Sequence, residues 1–559
     1  MRRVSAKLVN QRLRLLFLVI VLTFGALAAR TAYLQTVRAS SLAAAATSQT
    51  RTMVTTPALR GTIEDRLGAT LAIAQPAVDI IADPLQIADP AREARIAAKV
   101  LGLWYQPLLR ALSNRKSQYY VVAPQVPARR AAVLERKQLT GFTFQTDQRR
   151  VYPQGPVAAP LLGYMGVSQP LGGLETSLNP VLQGKSGKAV VVRDALGQVV
   201  DTQQIEPVVD GKTVMLTLDS HIQANAEQIL EQTVAKWHAK DATAIVMDPR
   251  TGAVLAMAQE PGYNANAFIA ASKHGLTVDH AINDVFEPGS VFKVVTISGA
   301  LSQHDITPNT VFTVPGSLKV ADRVIHDAET HGTERLHVWQ ILQRSSNIGT
   351  DEIARKYLGE SGLKKWMARF GFGRPTGIDF PGESAGILPS YWSGSTIGTV
   401  PIGQGVSVTA IQLASVYSAI ANGGLWVQPH LVDHVVGETP ATPKKRRILS
   451  PFIDRELRMM LRGVVSDQGT AVAASIPGYS VAGKTGTAQK PGPYGYLPGK
   501  YVATFVGMVP ALKPRLVVLV SVDEPQGGIY GGIVAAPAFQ QIASFDLQDL
   551  QIPPDLHVH

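Results

Sequence analysis

The sequence predicts an α+β protein: an antiparallel sheet flanked by helices, preceded by an elongated region and a single transmembrane helix. Three observations predict it. Strand patterns cluster at both ends of the second half of the chain, where residues 243–247, a turn at Asp248-Pro249-Arg250-Thr251-Gly252 and residues 253–258 read as a hairpin. Residues 502–508 and 516–522 read as two further strands, and helical periodicity fills the centre before a closing helix over 535–550. At the other end, residues 15–29 form an uncharged, mainly apolar run.

A length of 559 residues implies more than one domain, and 45% hydrophobic with 17% charged residues fits a globular protein. Lys and Arg number 53 against 42 Asp and Glu, a net charge of +11. No zinc-finger or other nucleic-acid motif accompanies that excess, so no nucleic-acid partner is expected. Arg2, Arg3, Lys7, Arg12 and Arg14 instead crowd the N-terminus, which points to a membrane surface. There is no cysteine, which excludes disulfides and thiol chemistry and is compatible with an oxidising compartment.

In chain order, residues 1–14 read as a cytoplasmic tail and 15–36 as the anchor. The apolar run is shorter than the roughly 20 residues a bilayer requires and matches a signal-peptide core, with Ala26-Leu27-Ala28 as a cleavage site. Against cleavage, Arg30 snorkels and Thr31-Ala32-Tyr33-Leu34 carries the helix to an interfacial tyrosine. The mature protein is therefore expected to keep residues 1–28; N-terminal sequencing that began at Ala29 would reverse this. Residues 39–49, rich in alanine and serine, read as a helical stalk. Residues 37–207 form a non-catalytic region in which Arg60-Gly61-Thr62-Ile63-Glu64-Asp65-Arg66-Leu67-Gly68 is a strand entering a turn, its charges serving structural ion pairs. Residues 85–140 alternate helical patterns with basic patches. The turn at 207–211 opens the last domain, 208–559, where Asp219 or Ser220 caps a helix bearing Ile222, Ala226, Ile229, Leu230 and Trp237 on one face. After Pro553-Pro554 only a short tail follows, and no further C-terminal modules are expected.

The chemistry centres on Phe286-Glu287-Pro288-Gly289-Ser290-Val291-Phe292-Lys293. A serine and a lysine three residues apart on the first turn of a helix share one face. A serine hydroxyl needs an adjacent base, and a lysine serves if burial or positive neighbours lower its pKa. S-x-x-K alone arises by chance in a chain this long. Here Ser345-Ser346-Asn347 and Lys484-Thr485-Gly486-Thr487 follow in order, and S-x-x-K, S-x-N, K-T-G is the known signature of penicillin-binding proteins and class A β-lactamases.

On these motifs the chain resembles the class B penicillin-binding proteins, and among them the division-specific, penicillin-binding protein 3 type, through the Phe286–Ser290 lead-in and Ile341-Leu342-Gln343-Arg344. Arg149-Arg150-Val151-Tyr152-Pro153 and Gly173-Leu174-Glu175 are similar to landmarks of that family's pedestal. Glu175-Thr176-Ser177-Leu178-Asn179 spells a β-lactamase deacylating motif, but it precedes the nucleophile and is a coincidence of letters. The resemblance implies the penicillin-recognising fold and a serine D,D-transpeptidase of the division septum. It acts on peptidoglycan stem peptides ending in D-Ala-D-Ala, is a target of β-lactams, and works beside a membrane glycan polymerase and other division proteins. Ser290 is the expected nucleophile, Lys293 its base, Ser345 a proton shuttle and Asn347 a holder of a substrate amide. Lys484 supplies positive field, Thr485, Gly486 and Thr487 bind the substrate carboxylate, and the backbone N–H groups of Ser290 and Thr487 form the oxyanion hole. The chain is expected in the inner membrane, N-terminus cytoplasmic and catalytic domain periplasmic. An elongation-type transpeptidase, a carboxypeptidase or lactamase on the same fold, and a penicillin-binding scaffold without turnover are the rival readings.

Three segments have plainer readings. Pro401-Ile402-Gly403-Gln404-Gly405 is either a family segment behind the site or a set of turns. Residues 489–499 read as a mobile rim or a surface loop, and Lys444-Lys445-Arg446-Arg447 as a solvated loop. His326-Asp327-Ala328-Glu329-Thr330-His331 looks like a ligand set, but it lacks H-E-x-x-H spacing, and neither a metal nor a cofactor is expected.

Overall fold

The computed structural model describes residues 6–193 and 199–556. Arg2 and Arg3, counted above toward the basic N-terminus, lie outside the described residues. The chain gathers into two compact units, one of residues 1–58 with 184–210, the other of 59–183 with 211–559.

In the first unit a helix of 31 residues, Ala6–Thr36, contains the stretch Val9–Thr36, whose mean hydropathy of 2.1 and length suffice to cross a membrane. At 1.5 Å per residue the helix is about 46 Å long. The charged Arg30 does not end it; its guanidinium lies over the Tyr33 ring at 5.7 Å and the helix continues. A second helix, Ala39–Thr50, leads into the strand Arg51–Thr56, which pairs antiparallel with Gly187–Arg193, itself paired with Val199–Glu206.

The second unit contains a five-stranded antiparallel sheet in the order Val254–Glu260, Asp241–Met247, Leu516–Asp523, Gly495–Val509, Ala482–Gly492. The strands Val254–Glu260, Asp241–Met247 and Leu516–Asp523 are buried almost end to end because helices cover both faces. Side chains alternate along a strand, so the two faces are told apart by register. Phe505 and Gly507 meet Phe539 of the helix Ala536–Asp549, which packs beside Ser220–Trp237. Met247, on the other parity, meets Ser418 of Ala410–Ala421. All twelve residues of that helix are buried, and Thr409 and Gln412 close its N-terminus as a reciprocal capping box. Asp219 caps Ser220–Trp237 by accepting from the His221 and Ile222 amides, so of the two caps the sequence offered, Asp219 and Ser220, the structure uses the first.

Two loop readings are overturned. Residues 489–499 are the arms of a hairpin, with Pro491 opposite Tyr496 and Gly492 opposite Gly495. Lys445–Arg447 is a short strand paired with Leu425–Val427. In both cases cross-strand pairing outweighs a local composition that reads as loop.

The region before the sheet carries its own strands. Thr70–Ala82 is flanked by Tyr120–Pro127 and Phe142–Val151, over a small core of Ile80, Ile87, Ala94, Leu108, Leu112 and Leu134. Ile63–Glu64 pairs antiparallel with Thr70–Ala82 and parallel with Val214–Leu216. The fully buried Glu175 takes Arg60 Nε on one oxygen and Arg150 Nε on the other, each at 2.6 Å, and Asn179 takes Arg60 Nη1 at 2.7 Å. Asp65 accepts from the Leu67 and Ala69 amides and from Ser220 Oγ. The charges of 60–68 thus serve ion pairs and a turn, as the sequence suggested.

Candidate active site

Pro288 and Gly289 bring the chain onto a 3₁₀ turn, Gly289–Phe292, that runs into the helix Lys293–Ser302 and places Ser290 and Lys293 on its first turns. Gly289 has φ +56° and donates its N–H to Gly403 O at 3.0 Å. Gly403 has φ +81°, and a Cβ there would lie 2.1 Å from Gly289 O. The segment 401–405 therefore backs the nucleophile: Pro401 O also accepts from Thr296 Oγ1, and the Gly405 amide donates to Glu287 Oε1 at 2.8 Å. Tyr496, on the 489–499 hairpin, donates to the other Glu287 oxygen at 2.9 Å. Gly403→Ala should displace the nucleophile turn and cost at least the ~1–3 kcal/mol of a residue forced into a sparsely populated backbone region. Thermal unfolding and β-lactam acylation rates, measured together, check this: both should fall.

Ser345 sits between the helices Val338–Gln343 and Asn347–Ile353 with φ +60°, a left-handed conformation that non-glycine residues seldom hold without a compensating reason. That backbone aims its hydroxyl between two lysines: Lys293 Nζ donates to Ser345 Oγ at 3.2 Å and Lys484 Nζ at 2.9 Å. Lys293 also donates to Ser345 O and Asn347 Oδ1, each at 2.6 Å. The Asn347 amide is engaged at both ends, since its Nδ2 donates to His326 O at 2.8 Å. The Ser290 hydroxyl stands outside this set of hydrogen bonds, as is common for catalytic groups without substrate.

Asp327 pins the second motif. Its carboxylate accepts from Ser346 Oγ at 2.7 Å, the Ile348 amide at 2.9 Å and His331 Nε2 at 3.1 Å. The 326–331 stretch, which the sequence left without a role, is the scaffold of the serine–asparagine motif. No sequence spacing announces this, because its partners lie about twenty residues on.

The third motif lies on Ala482–Gly492, the edge strand of the sheet. Thr485 Oγ1 shares a hydrogen bond with Thr470 Oγ1 at 2.8 Å, and Thr487 Oγ1 accepts from the Gly531 amide at 3.2 Å. Gly486 passes so close to Pro288 O that a Cβ would lie 2.8 Å from it. An edge strand leaves alternate N–H groups unpaired, which suits a strand that binds an extended substrate.

Lys293 and Lys484 are both fully buried. Burial pulls Lys293 down to about 7 against the opposing charges of Asp327 and Asp351, and burial together with Lys293 pulls Lys484 well below its usual range. Among the described residues no carboxylate touches Lys484; its Nζ rests on Ser345 Oγ, Thr485 O and Thr485 Oγ1. The site thus joins a serine, a lysine able to be neutral, a hydroxyl bridge and a second cation position, the parts of a serine acyl-transfer centre.

Comparison with known proteins agrees with that class. Residues 242–544 match the penicillin binding protein transpeptidase domain, and residues 55–170 the penicillin-binding protein dimerisation domain. The penicillin-binding protein PbpB of Mycolicibacterium smegmatis is 33% identical over 93% of this chain and 87% of its own length. The peptidoglycan D,D-transpeptidase FtsI of Escherichia coli is 32% identical over 98% of this chain and 94% of its own. A crystal structure of penicillin binding protein 3 from Mycobacterium tuberculosis, complexed with aztreonam, superposes with a TM-score of 0.72 at 30% identity, covering 90% of this chain and 98% of that one. The chain belongs to the class B penicillin-binding proteins, which join a transpeptidase domain to a dimerisation domain. Its relatives within the class are D,D-transpeptidases of the FtsI and penicillin-binding protein 3 type.

Proposed function

We propose that this chain is a membrane-anchored serine D,D-transpeptidase that cross-links peptidoglycan stem peptides at the division septum through an acyl-enzyme, and a target of β-lactams. The observation that carries the reading is the convergence of two buried lysines on the Ser345 hydroxyl, one of them Lys293, a turn after Ser290. Neutral Lys293 takes the Ser290 proton as Oγ attacks the carbonyl of the penultimate D-alanine. The backbone N–H groups of Ser290 and Thr487 hold the oxyanion, and Ser345 passes the proton to the departing D-alanine amine. The ester is then opened by an amine from a neighbouring strand, the proton flow reversed. Thr485, Gly486 and Thr487 receive the substrate carboxylate, whose charge restores the ammonium of Lys484.

A neutral lysine base with a pKa pulled to about 7 makes acylation rise with pH through that value and level off above it. A stopped-flow rate that fell over the same interval would contradict the assignment.

In this reading residues 1–14 are cytoplasmic, 15–36 cross the inner membrane once, 37–207 form the pedestal, and 208–559 the periplasmic transpeptidase domain. A membrane glycan polymerase and other division proteins are the partners. The deciding experiment supplies the purified full chain with a stem-peptide donor and an amine acceptor. Transfer to the amine supports the transpeptidase; hydrolysis alone would make it a carboxypeptidase, and acylation without turnover a scaffold.

A further inference from the structure

One cluster of unpaired charge lies outside the catalytic machinery. A cleft of about 420 Å³ opens between the end of the helix Gly359–Phe370, the turn after it, the helix Ala410–Ala421 and the paired strands Leu425–Val427 and Lys445–Arg447. That volume suits a small ligand group. Arg374, Lys444, Lys445 and Arg446 line the cleft, and among the described residues no carboxylate does.

The frame of the cleft is built from specific contacts. Arg446 stands opposite Trp426 in the strand pair, and its guanidinium lies over the Trp426 ring at 5.3 Å. The ring is itself held, since Trp426 Nε1 donates to the buried Ser415 Oγ at 2.5 Å. Gln412, also buried, donates to Arg374 O at 3.0 Å, and the Gln428 amide donates to Lys444 O at 2.9 Å. The backbones that present the cations are therefore fixed.

The charges themselves are not compensated. None of the four cations has an ion pair or a side-chain hydrogen bond among the described residues. Elsewhere on the surface Lys188, Lys212, Arg344 and Lys364 each meet a glutamate at 2.5 to 3.0 Å. Glu383 reaches the rim at Thr376, but its two oxygens are taken by the Thr376 and Gly377 amides, at 2.5 and 2.9 Å. A fifth cation, Arg369, joins from the helix with its Nε on Ile448 O at 2.7 Å. Burial, and then the charges of Arg374 and Arg369, pull the Arg446 guanidinium down from its ordinary value, as like charges without a counter-ion do.

A concave site lined by one sign of charge concentrates its field and draws in ions of the other sign. A single carboxylate would compensate one charge of the four. A phosphate or diphosphate brings more charge, and its oxygens match planar guanidinium forks with lysines beside them as point charges. We propose that this cleft binds a phosphate or diphosphate group, free or carried on a lipid head group, at a site that shares no residue with the acyl-transfer centre. The inference does not depend on which reaction Ser290 performs.

Titration calorimetry of the full chain in detergent with sodium pyrophosphate, against sodium chloride at matched ionic strength, tests it. The parent should bind a single pyrophosphate. Arg374→Gln and Arg446→Gln should each weaken binding roughly ten- to hundredfold, the loss expected for a hydrogen bond to a charged group. Arg129→Gln combined with Arg130→Gln, which removes twice that charge from an exposed patch elsewhere, should leave binding unchanged. Absence of saturable binding in the parent, or equal weakening by the control pair, would overturn the proposal. A second measurement needs no variant. Lys444 and Lys445 are acetylated with and without pyrophosphate and located by mass spectrometry, and pyrophosphate should slow both modifications severalfold. Unchanged rates would overturn the proposal even where the arginine variants fail to fold. Short-chain phosphatidylglycerol, set against phosphatidylcholine in the same assay, separates the sources: protection by phosphatidylglycerol as well assigns the site to a lipid head group, and protection by pyrophosphate alone to a soluble phosphate.

Discussion

Lys293→Arg should abolish acylation of Ser290 nearly as fully as Ser290→Ala does. Arginine keeps the positive field but holds its proton at every accessible pH, so it cannot accept one from the Ser290 hydroxyl. General-base assistance is typically worth ~10²–10⁴ in rate, and covalent catalysis at serine depends on it. Lys484→Arg is the informative contrast. If Lys484 serves by carrying charge to a substrate carboxylate, arginine retains that charge, and measurable acylation should survive. The loss that does occur reflects fitting a larger planar head into a position where the lysine is fully buried against Ser345 and Thr485. Acylation kinetics of both variants, with circular dichroism to establish folding, check the contrast. Equal losses would mean the two lysines have been given each other's roles.

Glu175→Ala should destabilise the protein by about 3–5 kcal/mol, because it leaves two buried guanidinium groups without their shared counter-ion. Arg60 and Arg150 reach Glu175 from either side at 2.6 Å with side chains only 6% and 3% exposed, so water cannot replace the carboxylate. The remaining partners, Asn179 Oδ1 and the carbonyls of Glu175 and Gly61, hold hydrogen bonds but carry no charge. The effect belongs to stability and not to chemistry. Chemical denaturation should show the loss, while Ser290 in the fraction that remains folded should still be acylated.

The parts of the site carried by short contiguous motifs were visible in the sequence. Ser290 and Lys293 share a helical turn, Ser345 and Asn347 flank a helix start, and Lys484 to Thr487 run along one strand; the fold brings all three stretches together. Residues that act across long separations left no local trace. Asp327 secures the second motif from about twenty residues upstream, and Tyr496 braces Glu287 from more than two hundred residues away. The left-handed backbone of Ser345 is invisible for the same reason, since serine carries no preference for it and the surrounding packing imposes it. Loop readings failed in residues 489–499 and 445–447 because glycine, proline and charge density describe the segment alone and not the strand it pairs with.

The central claim is that one serine, set in this arrangement of lysines, forms the acyl-enzyme. Incubating the full chain with a penicillin, digesting it and locating the adduct by mass spectrometry tests that claim most directly. The account predicts a single adduct, on the peptide containing Ser290, and none in Ser290→Ala. An adduct on any other residue, or undiminished labelling of Ser290→Ala, would contradict it.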